Sequence, residues 1–139
     1  MPRIQQGFSI VELMSVIAII AILVAGGVPA YQHVIRKARY SELINAAAPY
    51  KSAVELCYQT TGELNDCDDG KQSIPAAITA GSLDGLVDSL SVTNGRITVT
   101  PQKKYGLNKQ DTLELKPSIR NHHLNWQRGG GAVTAGYVS

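Results

Sequence analysis

Apolar positions along the chain follow three successive patterns. From Phe8 to Ala30 the residues are almost all apolar or small, and Glu12 is the only charge in 23 positions. A helix of that length, rising about 1.5 Å per residue, crosses a hydrocarbon layer roughly 30 Å thick. Past Pro29 the apolar residues thin to helical spacing: Tyr31, Val34, Ile35 and Ala38, then Leu43, Ala47, Tyr50, Val54 and Tyr58. The intervening Arg36, Lys37, Arg39, Glu42, Lys51 and Glu55 keep the other face in water. The two patterns join into one helix that is apolar first, amphipathic second, and ends near Tyr58. Gly26, Gly27 and Pro29 are expected to bend it, as is Pro49, because each proline removes a backbone donor.

From Thr60 to Asp88 the periodicity gives way to Gly, Ser, Asp and Pro, which predicts a connecting loop with at most a short helix between Ile74 and Leu90. The pattern then changes to period two. Leu90 and Val92, Ile97 and Val99, Leu113 and Leu115, and Leu124 and Trp126 alternate with polar neighbours, which predicts four strands sharing one buried face. Asn94-Gly95 lies between the first two and suits a two-residue hairpin turn, so an antiparallel meander is expected. A sheet with one apolar face needs a cover, and the amphipathic half of the helix supplies it. The expected fold class is α+β: a long N-terminal helical spine on a small antiparallel sheet. The glycines from Gly129 to Gly136 leave the tail unassigned.

Composition narrows the function. With 139 residues and the apolar run set aside, about a hundred remain, enough for one small domain. The formal charge is +2, from 13 basic and 11 acidic residues without a long run of either sign, which argues against a dedicated nucleic-acid binder. Arg3 precedes the apolar run and is expected on the cytoplasmic side. The domain is then delivered to an oxidising compartment, where Cys57 and Cys67, the only two cysteines, read as one disulfide. Closing that loop stabilises by roughly 2.5 to 3 kcal/mol on the chain-entropy account. A cleaved secretory signal ending at Val28-Pro29-Ala30 is the competing reading. Against it, the run is longer than the usual apolar core of about 7 to 15 residues and carries a carboxylate.

The segment from Gln6-Gly7-Phe8-Ser9-Ile10-Val11-Glu12 through Ile22-Leu23 resembles the processing and assembly signature of type IV prepilins, and the resemblance continues to Pro29. It implies the pilin fold and three parts: a leader at 1–7, a transmembrane and assembly helix at 8–30, and a head at 31–139. A prepilin peptidase would cut between Gly7 and Phe8 and N-methylate Phe8. Glu12 then becomes the fifth residue of the mature chain, where the family keeps a glutamate that guides assembly. A charge at the centre of a span costs about 2.5 to 3.5 kcal/mol on insertion scales, so Glu12 needs a partner, and the new amine of another subunit's Phe8 is a suitable one. The implied partners are copies of this chain and other pilins in a helical filament, the peptidase, the inner-membrane assembly machinery, membrane lipid before assembly, and a surface ligand or DNA. The implied location is the inner membrane, single-pass with the C-terminus outside the cytoplasm, and then the extracellular pilus. One departure stands out: many bacterial pilins pair two cysteines near the C-terminus, and here none follows Cys67.

The remaining candidates read as structural. Cys57 and Cys67 lack metal-site spacing. Asn65 to Gly70 resembles a calcium loop, but Ala76 stands where an EF-hand needs its bidentate acid, so a solvated turn is expected. His122-His123 is expected as an exposed loop pair. Lys103, Lys104, Lys109, Lys116, Arg120 and Arg128 are expected as a solvated face. No nucleophile has a recognisable base beside it, and neither an enzyme nor a cofactor or metal is expected. A type IV pilus subunit for adhesion, twitching motility, biofilm formation or DNA uptake is the leading function. The alternatives are a pseudopilin of type II secretion and a membrane-anchored binding module acting alone. The major pseudopilin typically binds calcium through acids near its C-terminus, whereas Leu115 to Ser139 contains neither Asp nor Glu.

Overall fold

A computed structural model of the chain describes residues 7–82 and 84–139. Its elements are α1 (Ile10–Thr61), β1 (Val87–Thr93), β2 (Arg96–Pro101), β3 (Leu113–Arg120), β4 (His123–Gly129) and α2 (Gly131–Thr134). The chain divides into two compact units, one ending at Val34 and the other Ile35–Ser139. Helix α1 runs without interruption through Gly26, Gly27, Pro29 and Pro49. Each proline leaves one carbonyl, of Ala25 or Asn45, without its usual N–H partner.

In the second unit, Tyr40, Leu43, Ala47, Tyr50, Val54 and Cys57 form the buried stripe of α1, at alternating steps of three and four. They share a core with Leu90, Val92, Ile97, Val99, Leu113 and Leu115 of the sheet. The stripe differs from expectation at both ends. Tyr31 and Val34 are exposed, and Tyr40 and Cys57 are the residues that enter the core. The expected solvent face of α1 is also partly occupied. Glu55 accepts a hydrogen bond from Trp126 Nε1 at 2.8 Å, Lys51 lies over the same indole at 5.7 Å, and Arg39 covers the Tyr105 ring at 4.6 Å.

The sheet is the expected four-stranded antiparallel meander in the order β1-β2-β3-β4. Asn94 and Gly95 make the first hairpin turn, both with positive φ, between the paired Thr93 and Arg96. Asn121 and His122 make a second such turn between Arg120 and His123. Pro117 pairs with Trp126 of β4 and lies two residues past Leu115, the last partner of β2, so on the β2 side it has no strand to bond. Leu124 and Trp126 are half-buried, since β4 is an edge strand that reaches past the core.

The loop after α1 is anchored to the sheet. The Cys57–Cys67 disulfide closes its first ten residues of separation, with both sulfur-bearing side chains fully buried. The Asp69 carboxylate accepts from Val92 N at 2.9 Å, Asp68 from Asn94 N at 2.8 Å, and the Cys67 carbonyl from Gly95 N at 2.8 Å. The Asn94 amide, and then Lys71, hold the Asp68 carboxyl below its ordinary pKa. The acidic segment therefore caps the outer edge of β1 and its hairpin and is not a freely solvated turn. Cys57→Ser in the full chain is expected to cost about 2 to 3 kcal/mol, read as a lower denaturation midpoint in detergent micelles. An unchanged midpoint would mean that the hydrogen bonds to β1 hold the loop alone.

The tail, unassigned from sequence, is ordered by a different device. Gly130 and Gly131 let the chain pass close to residues 110–112, α2 follows, and Ala132, Tyr137 and Val138 are buried. The Tyr137 ring stacks on Tyr40 with centroids 5.1 Å apart. The Tyr40 hydroxyl donates to the Asp111 carbonyl, and Ala132 N donates to the Thr112 carbonyl at 3.0 Å. Burial, and then Asp111 and Tyr137, hold the Tyr40 hydroxyl far above its ordinary pKa, which keeps it a donor.

Candidate functional site

The first unit presents a continuous apolar surface. Phe8, Ile10, Val11, Leu13, Met14, Ile17, Ile19, Ile20, Ile22 and Leu23 are each more than half exposed. An 18-residue window of α1 reaches a mean hydropathy of 2.5, with no part of it buried inside the chain. Burying one large apolar side chain is worth about 1.5 to 3 kcal/mol, so a surface of this extent requires lipid or other helices around it.

Gly7 and Phe8 are exposed and precede the first turn of α1, leaving the backbone between them open to approach. Leu13 N donates to the Ser9 carbonyl at 3.1 Å, which places Ser9 at the start of the helix and Glu12 three residues inside it. That spacing also fits a capping pair, with Glu12 near the positive end of the helix dipole. Among the described residues no hydrogen bond or ion pair reaches the Glu12 carboxylate; Ser15 Oγ donates to its backbone carbonyl instead, at 2.8 Å. Glu12 thus stands as a carboxylate on an otherwise apolar surface. Gly26 and Gly27 have open space where a Cβ would lie.

The second unit offers no comparable constellation. His122 sits in the turn and His123 opens β4, and both line a cleft of about 200 Å³ with Glu55, Tyr58, Gln59 and Leu124. Glu55 is already held by Trp126, and among the described residues no group of three acids, histidines or cysteines converges as a metal site would require. A groove of about 750 Å³ runs between Ile44, Ala48 and Lys51 of α1 and Trp126, Val133 and Ser139. The basic residues of the C-terminal half do not form one patch: Lys109 pairs with Asp88 at 2.9 Å, Lys116 with Glu114 at 3.2 Å, and Arg128 donates to Ser139. Sequence reasoning missed Tyr105, which sits at positive φ and is met by Arg39; nothing local marks that contact.

Comparisons with known proteins agree with this division. Residues 2–28 match the prokaryotic N-terminal methylation motif, and residues 37–139 match the pilin (bacterial filament) family. The chain is 35% identical over 133 residues to the fimbrial protein EcpC of Eikenella corrodens, covering 94% of this chain and 86% of that one. It is 43% identical over 99 residues to prepilin peptidase-dependent protein D of Escherichia coli K12, over 71% of this chain but only 65% of the relative. The solution structure of the major type IV pilin PpdD from enterohemorrhagic Escherichia coli superposes with a TM-score of 0.51 at 28% identity, covering 68% of each chain. With the methylation motif on the apolar helix and the family match across the helix-and-sheet unit, the chain belongs to the type IV pilin family.

Proposed function

We propose that this type IV pilin-like chain is a structural subunit of an extracellular pilus, acting in adhesion, twitching motility, biofilm formation or DNA uptake. The observation that carries this reading is the exposed apolar helix with one carboxylate five positions after the Gly7–Phe8 junction. A prepilin peptidase removes residues 1–7 and methylates Phe8. Residues 8–30 then hold the subunit in the inner membrane with the head, 31–139, outside the cytoplasm. In the filament the same helix packs against copies of itself and other pilins, and Glu12 meets the Phe8 amine of another subunit. Gly26, Gly27 and Pro29 are the points at which the helix adapts to that bundle. Burying the apolar surface drives assembly, while the charge pair selects the axial register.

The test is immunogold microscopy of filaments sheared from cells, with intact mass of the subunit recovered from them. Labelled filaments whose subunit begins at Phe8 and carries one added methyl are expected. A mature chain beginning at Tyr31 would establish a secretory signal. A methylated chain retained in the cell envelope without surface filaments would assign it to a secretion pseudopilus.

A further inference from the structure

We infer that the basic cluster at the start of the head, Arg36, Lys37 and Arg39 of α1 with Lys103, Lys104 and Tyr105 of the β2–β3 loop, is a binding surface for anionic phospholipid headgroups. The inference rests on the reading of residues 8–30 as a membrane span and adds to it a lipid preference.

Two contacts bring these segments together. The Arg39 guanidinium lies 4.6 Å from the centre of the Tyr105 ring, and Arg36 Nε is 2.8 Å from the point where a Cβ on Gly106 would lie. Arg39, Lys104 and Tyr105 line one cleft of about 190 Å³. Lys37 and Lys103 are exposed and adjoin Arg36 and Lys104 in sequence, and Tyr105 is 64% exposed. Within that cleft Glu42 and Asp84 balance Arg39 and Lys104, and Arg36, Lys37 and Lys103 add positive charge beside it along the chain. Among the described residues no ion pair within 4 Å neutralises Arg36, Arg39 or Lys104.

The position along the chain points to lipid. Helix α1 is continuous from the apolar run into Arg36–Arg39, which follow Ala30 by six to nine residues. At about 1.5 Å per residue that is roughly 9 to 14 Å past the end of the span. The headgroup layer extends about 5 to 7 Å beyond the hydrocarbon, and charges act across a Debye length of about 8 Å. Guanidinium groups bind phosphate oxygens through two parallel donors, and tyrosine favours the membrane–water boundary.

The experiment places the full chain in phosphatidylcholine bilayers with acyl-chain spin-labelled phosphatidylglycerol or phosphatidylcholine and measures the immobilised fraction of each by electron spin resonance. Phosphatidylglycerol is expected to be preferred roughly fivefold or more, with the preference removed in Arg36→Gln/Arg39→Gln/Lys104→Gln and reduced at high salt. Lys103→Gln/Lys104→Gln leaves α1 untouched and is expected to halve the preference. An inserted chain that restrains both lipids equally, or variants that keep the full preference, would overturn the inference alone. A chain recovered outside the bilayer would overturn the span reading and the inference with it. Binding of a short DNA duplex at physiological salt, without any lipid preference, would assign the surface to nucleic acid and overturn the inference.

Discussion

Glu12→Ala is expected to leave the subunit in the membrane and cleaved, while sheared filaments fall to near zero when the variant is the only subunit present. Alanine enters lipid more readily than glutamate, so membrane storage does not suffer. Polymerisation does, because each Phe8 amine is then buried in an apolar bundle without its counter-charge, and breaking a buried pair by removing one partner costs about 3 to 5 kcal/mol. Repeated at every subunit, that loss outweighs the apolar contacts a single alanine adds. The Ser9–Glu12 spacing raises a second explanation, a helix cap, and Glu12→Gln separates the two. Glutamine still caps but carries no charge. The measurement is filament yield alongside an immunoblot of membrane fractions for both variants. Normal filaments from Glu12→Ala would sink the pairing argument, filaments restored by Glu12→Gln would replace it with capping, and accumulated precursor would move Glu12 into peptidase recognition.

What the sequence made legible was local in origin. The apolar run, the four period-two strands and the Asn94-Gly95 turn each declare themselves within a few residues, and the structure places all of them as expected. The second hairpin turn was hidden because Asn121-His122 lacks the glycine that usually marks positive φ. Likewise nothing local marks Tyr40, whose partners Asp111 and Tyr137 are 71 and 97 positions away. Trp126 faces inward as its alternation predicts, yet its hydrogen bond to Glu55 joins the helix face expected in solvent to the buried face of the sheet. For the assembly segment, composition showed only that a lone carboxylate sits in an apolar helix. The significance of Gly7, Phe8 and Glu12 as a set came from the family resemblance.

Gly131→Ala is expected to destabilise the head strongly, because it attacks the close passage that holds the tail over residues 110–112. A Cβ at Gly131 would lie 2.0 Å from the Gln110 carbonyl oxygen and 2.9 Å from Asp111 Cα. These are backbone atoms, so no rotamer change relieves the overlap. Either residues 110–112 retreat or the tail lifts. In the first case the Asp111 carbonyl leaves the Tyr40 hydroxyl, and a buried donor is left unsatisfied; in the second, Tyr137 comes off the Tyr40 ring and reopens the core. Overpacking costs about 1 to 3 kcal/mol and a lost buried hydrogen bond about 1 more, so a total of roughly 2 to 4 kcal/mol is expected. For a unit of this size that lowers Tm by on the order of 10 °C or more. Gly130→Ala should behave similarly, since its Cβ would meet the Thr112 carbonyl oxygen at 2.3 Å and its φ is +90°. Gly136→Ala is the contrast: φ is +73°, but nothing lies within 4 Å of the added carbon, so only backbone strain of about 1 kcal/mol remains. Thermal unfolding of the three full-length variants in detergent micelles, with carboxypeptidase trimming of the tail followed by mass, reads both effects. Equal melting of Gly131→Ala and Gly136→Ala would show that close passage over residues 110–112 is not what secures the tail.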